Sequence, residues 1–139
     1  MKSCVIIEDS EVIREIASRI VKEFGVEPIE ADSASAGLEI CRERQVDVAM
    51  LDWDLPSMGA LDFLRGAAEL DPAKKPQIVL CATENDAKQF ALARAAGAAH
   101  HLLKPYDQRS IARTFVEIEI VDADAVGDAL KDEPKAAEA

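Results

Sequence analysis

Four residues of this sequence could form one chemical site, because each follows a short apolar run of strand length. Glu8 and Asp9 come after the first such run, Asp52 after the third, and Lys104 after the fifth. Carboxylates held close together repel one another unless a cation joins them, and oxygen ligands favour Mg²⁺ over softer metals. Lys104 would remain to bind a second anionic group, such as a phosphoryl oxygen. Any single acid could instead cap the helix that follows it.

Five apolar runs of strand length set the positions of these residues. They lie at residues 5–7, 26–31, 46–51, 78–82 and 100–103, and a helical pattern follows each run. Strict alternation of strands and helices predicts a parallel sheet covered on both faces, the doubly wound α/β class. The second run contains Pro28 and two glutamates, which suits a sheet edge, where a missing N–H is tolerated. We therefore predict a flavodoxin-like (βα)5 fold of strand order 2-1-3-4-5, with ligands bound at the carboxyl ends of the strands.

Apolar residues at helical spacing predict five helices. In the clearest one Ser10 is the expected N-cap and Gly25 lies just past the end. The final helix should begin at the cap Asp107 and end near Val121. The expected buried positions are, in chain order, Ile13, Ile16, Ala17, Ile20, Val21 and Phe24; Ala34, Leu38 and Cys41; Leu61, Leu64 and Ala68; Ala87, Phe90 and Ala91; and Ile111, Phe115 and Ile118.

Size, charge and cysteine content restrict the class of protein. A chain of 139 residues, 49% of them hydrophobic, suffices for one domain with one core. Its formal net charge of −11 would repel nucleic acids and anionic lipid surfaces, so we expect neither as a partner. No apolar run approaches the roughly 20 residues that span a bilayer, and no signal peptide is evident, so we expect a cytoplasmic protein. Cys4, Cys41 and Cys81 lie far apart among aliphatic residues, which favours buried reduced thiols.

The C-terminal residues 122–139 form an acidic tail without an aromatic residue. Val126, Ala129 and Leu130 could form one helical turn, whereas the stretch after Pro134 has little to bury and should be mobile. We therefore predict a single domain over residues 1–121, followed by this tail.

Three segments, IIEDS, LDWDLP and LLKPYD, resemble the phosphoacceptor segments of the receiver domains of two-component response regulators. The resemblance covers residues 2–120. Its combination of an acidic pair, a central aspartate and a Lys-Pro pair at this spacing is highly specific. The segments DWDLP, FLR, TEND and KPYD are most similar to stand-alone receivers of the chemotaxis-regulator type. The resemblance implies a phosphorelay signalling protein and not an enzyme.

The resemblance also assigns a role to each residue of the site. It implies that Asp52 accepts a phosphoryl group from a phosphohistidine of a sensor histidine kinase or phosphotransfer protein, and that Lys104 contacts this group. Asp9 and Asp52 would bind Mg²⁺ directly, Glu8 through water, and Asp54 by its backbone carbonyl. Such a transfer depends on positioning and charge neutralisation more than on covalent machinery.

The segment Asp52-Trp53-Asp54 is also a DxD motif, as in haloacid-dehalogenase-like phosphatases that form an aspartyl phosphate. That motif usually ends the first strand of its domain, but here it ends the third, and Leu55 and Pro56 follow in place of a threonine or valine. A phosphatase is therefore a minor alternative, which turnover of a small phosphoester would favour.

Three positions depart from the receiver pattern, and the first two concern Ala60 and His101. The family usually has a glycine in a Met-x-Gly setting after the phosphoacceptor, whereas SMGAL places Ala60 there and Gly59 one residue early. If that position requires a positive φ, the loop must adjust. Three residues before Lys104, where the family often has an aromatic residue, lies His101, which could swing similarly or be an exposed polar residue on an edge strand. We assign His101 and Tyr106 to the switch or to the partner interface.

The segment LCATEND contains the third departure. Aligned without gaps, Ala82 falls on the position of the switch hydroxyl in receivers, and Thr83 on the next. Neighbours at a strand end face opposite ways, so we predict that Ala82 occupies the switch position and that Thr83 contributes its backbone N–H. The phosphoryl group would then lose one hydrogen bond, worth about 0.5 to 1.5 kcal/mol. The alternative is a local shift of the loop that brings the Thr83 hydroxyl into the pocket.

These observations predict a single-domain response regulator that is phosphorylated on Asp52 with Mg²⁺. Its output would be the binding of a protein target through the fourth helix, fifth strand and fifth helix. The alternative is a receiver-like interaction module with weak or no phosphorylation-driven switching, because a ligand shifts an equilibrium only by its differential affinity for the two states.

Overall fold

The structure, a computed structural model, describes residues 1–84 and 86–131. The strands of this part are β1 (Ser3–Ile7), β2 (Glu27–Ala31), β3 (Val48–Asp52), β4 (Gln77–Ala82) and β5 (His100–Leu103). Neighbouring strands are parallel, and the order across the sheet is β2-β1-β3-β4-β5. The predicted doubly wound, flavodoxin-like fold is therefore confirmed, with each strand close to its expected position.

The helices that the described residues form are α1 (Glu11–Glu23), α2 (Ala34–Glu43), α3 (Gly59–Ala68), α4 (Ala87–Ala95), α5 (Gln108–Glu117) and α6 (Gly127–Lys131). Short 3-10 turns occur at Pro56–Met58, Pro72–Lys74 and Ala123–Val126. The expected caps Ser10 and Asp107 accept hydrogen bonds from backbone N–H groups in the first turns of α1 and α5. Gly25 follows α1 with a φ of 79°, a left-handed conformation that favours glycine. No helix in this part of the chain is long and apolar enough to cross a bilayer.

The sheet separates two apolar layers. Strands β1 and β3 are buried throughout, and β4 is buried after its first residue, as their nearly uninterrupted apolar sequences predict. Helices α2, α3 and α4 cover one face, where Phe63 and Leu64 are buried. Helices α1 and α5 cover the other face, where Ile111 and Phe115 are buried. Burial on both faces makes the sheet a rigid base for the loops at the strand ends.

The strand order places β2 at one edge and β5 at the other. Pro28 lies in β2 opposite Cys4 of β1, so its missing N–H falls on an edge strand, as predicted. The order reverses between β1 and β3, and the loops that follow these two strands lead to helices on opposite faces. A crevice therefore forms at the carboxyl ends of β1 and β3.

Some helix faces differ from the prediction. Ala68, Ala87 and Ala91 are exposed, while Ala67 and Ala93 are buried in their place. Alanine is small and only weakly apolar, and it recurs one or two residues apart in α3 and α4. The spacing pattern therefore did not indicate which alanine faces the core.

Helix α5 ends at Glu117 and not near Val121 as predicted. Glu119 adopts a left-handed φ of 63°, and the N–H of Ile120 donates to the carbonyl of Phe115 at 2.8 Å. This turn allows both Ile118 and Ile120 to be buried. On a continuous helix, residues two apart lie on nearly opposite sides, so one of the two isoleucines would face solvent.

The C-terminal segment of residues 122–131 folds back onto α5. Val126 is only 3% exposed, and the segment borders a cavity of about 640 Å³ that Phe24 and Gln108 also line. The helical turn predicted there is present as the Ala123–Val126 turn and α6. The domain boundary at residue 121 stays a prediction, and the mobility expected after Pro134 concerns residues outside the described ones.

The three cysteines are free and buried, as predicted. Burial raises the pKa of Cys41 to about 11 and that of Cys81 to about 12, and it also raises the pKa of Cys4. The thiols are therefore protonated at neutral pH, where a protonated thiol is a poor nucleophile.

Candidate functional site

The acidic pair of Glu8 and Asp9 lies in the turn between β1 and α1. Glu8 is 2% exposed, and its carboxylate accepts a hydrogen bond at 3.1 Å from the N–H of Ser10, the cap of α1. The backbone N–H of Glu8 donates to the carbonyl of Ala31, the last residue of β2, at 3.0 Å. Asp9 is exposed. The turn therefore holds Glu8 inward and leaves Asp9 at the edge of the crevice.

Asp52 is the last residue of β3, and its side chain is 2% exposed. Its Oδ1 accepts a hydrogen bond at 3.0 Å from the backbone N–H of Asp54 in the following loop. The N–H of Trp53 donates to the carbonyl of Cys81 at 2.8 Å, which continues the pairing between β3 and β4 beyond the end of β3. The strand pairing thus brings the Asp52 carboxylate to the carboxyl edge of the sheet.

Lys104 connects the two acidic elements. Its Nζ lies 2.8 Å from Oδ1 of Asp52 and 3.0 Å from Oε1 of Glu8, and its side chain is 6% exposed. Its backbone N–H donates to the carbonyl of Ala82 at 2.8 Å, and its peptide bond to Pro105 is cis. A buried charge without a partner is strongly destabilising, and both carboxylates supply Lys104 with one.

The carboxylate groups form a compact oxygen cluster that fits a divalent cation. One oxygen each from Glu8, Asp9 and Asp52 lies within 4.8 Å of the others. Three carboxylates against the single ammonium of Lys104 leave an excess of negative charge. Oxygen ligands at this spacing suit a hard cation such as Mg²⁺, so these residues fit the metal that the sequence predicted.

The pKa shifts in the site reflect burial first and the neighbouring charges second. Burial raises the pKa of Glu8, and the neighbouring Asp52 adds to the rise, while hydrogen bonds from Ser10 and Lys104 oppose it. Burial by itself would lower the pKa of Lys104, but hydrogen bonds to Asp52 and Glu8 outweigh it, so that the pKa is raised. Lys104 is therefore charged at neutral pH, and Glu8 experiences the charge crowding that a bound cation would relieve.

Ala82 and Thr83 lie in different surroundings. Ala82 is 2% exposed and belongs to the apolar layer that also contains Leu80 and Phe90. Thr83 is exposed, and its Oγ1 lies 3.4 Å from Oδ2 of Asp54 across the crevice. The assignment of the switch position to Ala82 stays a prediction.

The loop after Asp52 has its left-handed residues earlier than expected. Ser57 and Met58 have φ values of 56° and 60°, whereas Gly59 and Ala60 belong to α3. Ala60 therefore does not carry the strain considered from the sequence. Glycine at position 59 is required by close packing and not by φ, because a Cβ at this position would lie 3.1 Å from the Cβ of Leu55.

His101 and Tyr106, both assigned to the switch or interface, differ in exposure. His101 is exposed on β5 and stacks on Phe90 of α4, with ring centroids 4.2 Å apart and an interplanar angle of 19°. Tyr106 is partly buried beside the Cys81 thiol, and burial raises the pKa of its hydroxyl. With Ile16, which is 42% exposed and not buried as predicted, Tyr106 lines an apolar cavity of about 250 Å³ next to Lys104.

Arg14 is a neighbour of the site that the sequence did not single out. Its Nη1 donates to the backbone carbonyl of Glu8 at 2.8 Å, and its Nε donates to Oε1 of Glu30 at 2.9 Å. A cation near the start of a helix is unfavourable to the helix dipole. The position of Arg14 in the first turn of α1 is therefore the sequence signal that its side chain has a partner outside α1.

Comparison with protein families gives a match over most of the chain, because residues 4–115 match the family described as response regulator receiver domain. The chemotaxis protein CheY of Pseudomonas aeruginosa is 24% identical over 115 residues, which cover 82% of this chain and 93% of that protein. The chain spans only about half the length of other curated relatives, 56% and 47% of the phosphate regulon transcriptional regulatory protein PhoB of Shigella flexneri and Escherichia coli.

Solved structures show the same fold. The chemotaxis protein CheY4 of Vibrio cholerae has a TM-score of 0.79 at 23% identity, covering 85% of this chain and 98% of that chain. The receiver domain of the sensor histidine kinase PA1611 of Pseudomonas aeruginosa has a TM-score of 0.76 at 14% identity, with the same coverage. That domain was crystallised with a magnesium ion coordinated in its active site cleft.

Proposed function

This chain belongs to the response regulator receiver domain family of two-component signalling, and on this premise we propose that Asp52 accepts a phosphoryl group. The donor is a phosphohistidine of a sensor histidine kinase or phosphotransfer protein, the partners with which receiver domains interact. The proposed place of action is the cytoplasm.

One observation carries the proposal: the Asp52 carboxylate lies at the end of β3 with Lys104 at 2.8 Å and the carboxylates of Glu8 and Asp9 beside it. Phosphoryl transfer requires a nucleophile, a cation on the phosphoryl oxygens and a site for a divalent metal. The arrangement supports all three.

The residues that would hold Mg²⁺ are the carboxylates of Asp9 and Asp52, with Glu8 acting through water and Asp54 by its backbone carbonyl. When bound, this ion neutralises charge on the phosphoryl oxygens. The exposed Asp9 and the buried Asp52 border the crevice, which leaves a side open to water and to the donor.

In the transfer, a carboxylate oxygen of Asp52 attacks phosphorus, an O–P bond forms, and the P–N bond to the donor imidazole breaks. The bond electrons stay on the departing nitrogen, and a proton on the other ring nitrogen of the phosphohistidine makes the leaving group a neutral imidazole, so this chain needs no general acid. Lys104 pairs with an oxygen of the transferred group, and the backbone N–H of Thr83 donates to another. The transfer therefore depends on the positions that the four strand ends give to these residues.

The proposed output is the binding of a protein target to the face formed by α4, β5 and α5. Leu92 of α4 and Leu103 of β5 are 55% and 43% exposed, and His101 of β5 is also exposed. Large apolar side chains in solvent favour association with another protein.

A second candidate is a receiver-like module that binds its target with little dependence on phosphorylation. Ala82 favours it, because an alanine at the switch position offers no hydroxyl to the phosphoryl group. Enzymatic turnover of phosphoesters is not proposed, since the family to which the chain belongs acts in signalling.

The first proposal is tested by incubating the protein with radiolabelled acetyl phosphate and Mg²⁺. We expect wild type to take up label that hydroxylamine releases, as it does from an acyl phosphate, and Asp52→Ala to take up none. Asp62→Asn is the matched control, because it changes an exposed carboxylate of α3 that pairs with Arg65 and lies outside the proposed site. It should label like wild type.

The phosphoacceptor proposal fails if wild type takes no label or if Asp52→Ala takes as much. Turnover of an excess of a small phosphoester, in a separate assay without acetyl phosphate, would instead revive the phosphatase. Circular dichroism of each variant excludes a loss of fold as the cause.

A further inference from the structure

Arg14 joins three elements at the acidic side of the site. Its backbone N–H donates to the carbonyl of Ser10, the cap of α1, at 2.9 Å. Its guanidinium donates to the carbonyl of Glu8 at 2.8 Å and to the carboxylate of Glu30 in β2 at 2.9 Å. The Arg14 side chain is 16% exposed and that of Glu30 is 45% exposed, so the contact with the Glu8 carbonyl is better shielded from water than the ion pair with Glu30.

The carbonyl of Glu8 controls the next residue, because it shares a rigid peptide plane with the N–H of Asp9. A hydrogen bond to that carbonyl fixes the orientation of the plane, and with it the direction in which the Asp9 side chain leaves the backbone. Within residues 1–84 and 86–131, no hydrogen bond holds the Asp9 carboxylate itself. The contact from Arg14 therefore restrains the peptide plane before Asp9, and the hydrogen bond from the Ser10 N–H to the Glu8 carboxylate restrains the plane after it.

We propose that Arg14 is a positioning residue for the divalent-cation site, which orients Asp9 through the Glu8 carbonyl and is itself held by Glu30. The inference rests on the proposed function, because it concerns the metal that phosphoryl transfer at Asp52 requires. Residues that orient metal ligands without touching the metal change its affinity by about 10-fold to 100-fold.

The charge of Arg14 and its hydrogen-bond geometry have opposite effects on the affinity of the site for Mg²⁺. A positive charge near the acidic cluster repels Mg²⁺, whereas a fixed Asp9 attracts it. The planar guanidinium makes both contacts at once, and the ammonium of a lysine cannot reproduce this fork. Arg14→Lys keeps the charge and loses the fork, so it isolates the geometric effect.

The experiment is a titration with Mg²⁺ in the absence of any phosphodonor, followed by the fluorescence of Trp53. Trp53 is the only tryptophan in the sequence and follows Asp52 directly. We expect Arg14→Lys to weaken Mg²⁺ binding about tenfold and Glu30→Gln to weaken it less, because the Glu8 contact remains. Arg19→Lys is the matched control, since Arg19 pairs with Glu15 on the exposed side of α1 at 3.3 Å, and it should bind Mg²⁺ like wild type.

Labelling by acetyl phosphate separates positioning from general damage. In Arg14→Lys, the Mg²⁺ concentration at half-maximal rate should rise by the same factor, while the rate at saturating Mg²⁺ remains that of wild type. Asp52 and Lys104 are unchanged in this variant, so only metal binding should be weakened. A merely structural role for Arg14 would lower the maximal rate as well.

The outcomes distinguish the two proposals. If wild type shows neither a Mg²⁺ response nor labelling, the proposed function fails and this inference fails with it. If wild type responds and Arg14→Lys binds Mg²⁺ equally well, or if Arg19→Lys weakens binding as much, only the role of Arg14 is overturned. If Arg14→Lys does not fold, Glu30→Gln decides by the same criteria.

Discussion

Ala82 and Thr83 are adjacent at the end of β4, but their side chains lie in different surroundings. Ala82 is buried in the apolar layer beside Phe90, whereas the Thr83 hydroxyl is exposed near Asp54. The ion pair of Asp52 with Lys104 depends on neither side chain. The proposed transfer to Asp52 therefore does not require a hydroxyl at residue 82, whereas the proposed switch would.

A hydroxyl added at residue 82 should strengthen the binding of a phosphoryl mimic. We expect Ala82→Thr to bind beryllofluoride, with Mg²⁺ present, about threefold to tenfold more tightly than wild type, which corresponds to one hydrogen bond of about 0.5 to 1.5 kcal/mol. The fluorescence of Trp53 during a beryllofluoride titration measures this affinity.

Ala82→Val is the control for this change, because valine has the shape of threonine without the hydroxyl. It should bind beryllofluoride no better than wild type. Equal affinities of the threonine and valine variants would contradict the assignment of Ala82 to the switch position and leave Thr83 as the candidate.

At the scale of elements, the loop from β3 to α3 carries local strain. Ser57 and Met58 are consecutive residues with left-handed φ values of 56° and 60°. For residues with a Cβ this conformation is unfavourable by roughly 1 to 2 kcal/mol each. The buried start of α3, where Gly59 packs on Leu55 and Ala60 is 3% exposed, opposes this strain.

Glycine at residue 57 should relieve part of that strain. We expect Ser57→Gly to be about 1 kcal/mol more stable to unfolding than Ser57→Ala, because glycine adopts positive φ without a steric penalty. Urea denaturation of the two variants measures the difference. Both substitutions remove the serine hydroxyl, so a result in which Ser57→Ala is equally stable would show that the conformation is not strained.

At the scale of the whole molecule, residues 122–131 extend the packed structure beyond the five βα units. Val126 is 3% exposed, and the cavity of about 640 Å³ beside it is also lined by residues of α1 and α5. The segment therefore contributes apolar burial on the face opposite α2, α3 and α4.

Truncation of Val126 should destabilise the protein. We expect Val126→Ala to lower the free energy of unfolding by about 1.5 kcal/mol, the value of two buried methylene groups. Val12→Ala is the matched control, because Val12 is 68% exposed and its truncation should change stability by less than about 0.5 kcal/mol. Urea denaturation measures both, and equal stabilities would show that residues 122–131 do not pack on the domain in solution.

The sequence by itself determined the fold and the membership of the site. Apolar runs of strand length alternating with helical patterns permit few topologies, and parallel strands bring their carboxyl ends to one edge. Glu8, Asp52 and Lys104 are therefore adjacent because of the strand order, and each could be identified from its place after an apolar run.

The tertiary structure decided what depends on contacts between elements. Three features depend on partners distant in sequence or on packing against a core. They are the contact of Arg14 with Glu8 and Glu30, the turn that ends α5 at Glu117, and the burial of Val126 on the domain. Local sequence patterns indicate the hydrophobic period and the helix caps, but they do not indicate which side chains of different elements are in contact. Those contacts, and the orientation that Arg14 imposes on the backbone before Asp9, follow only once the helices pack on the sheet.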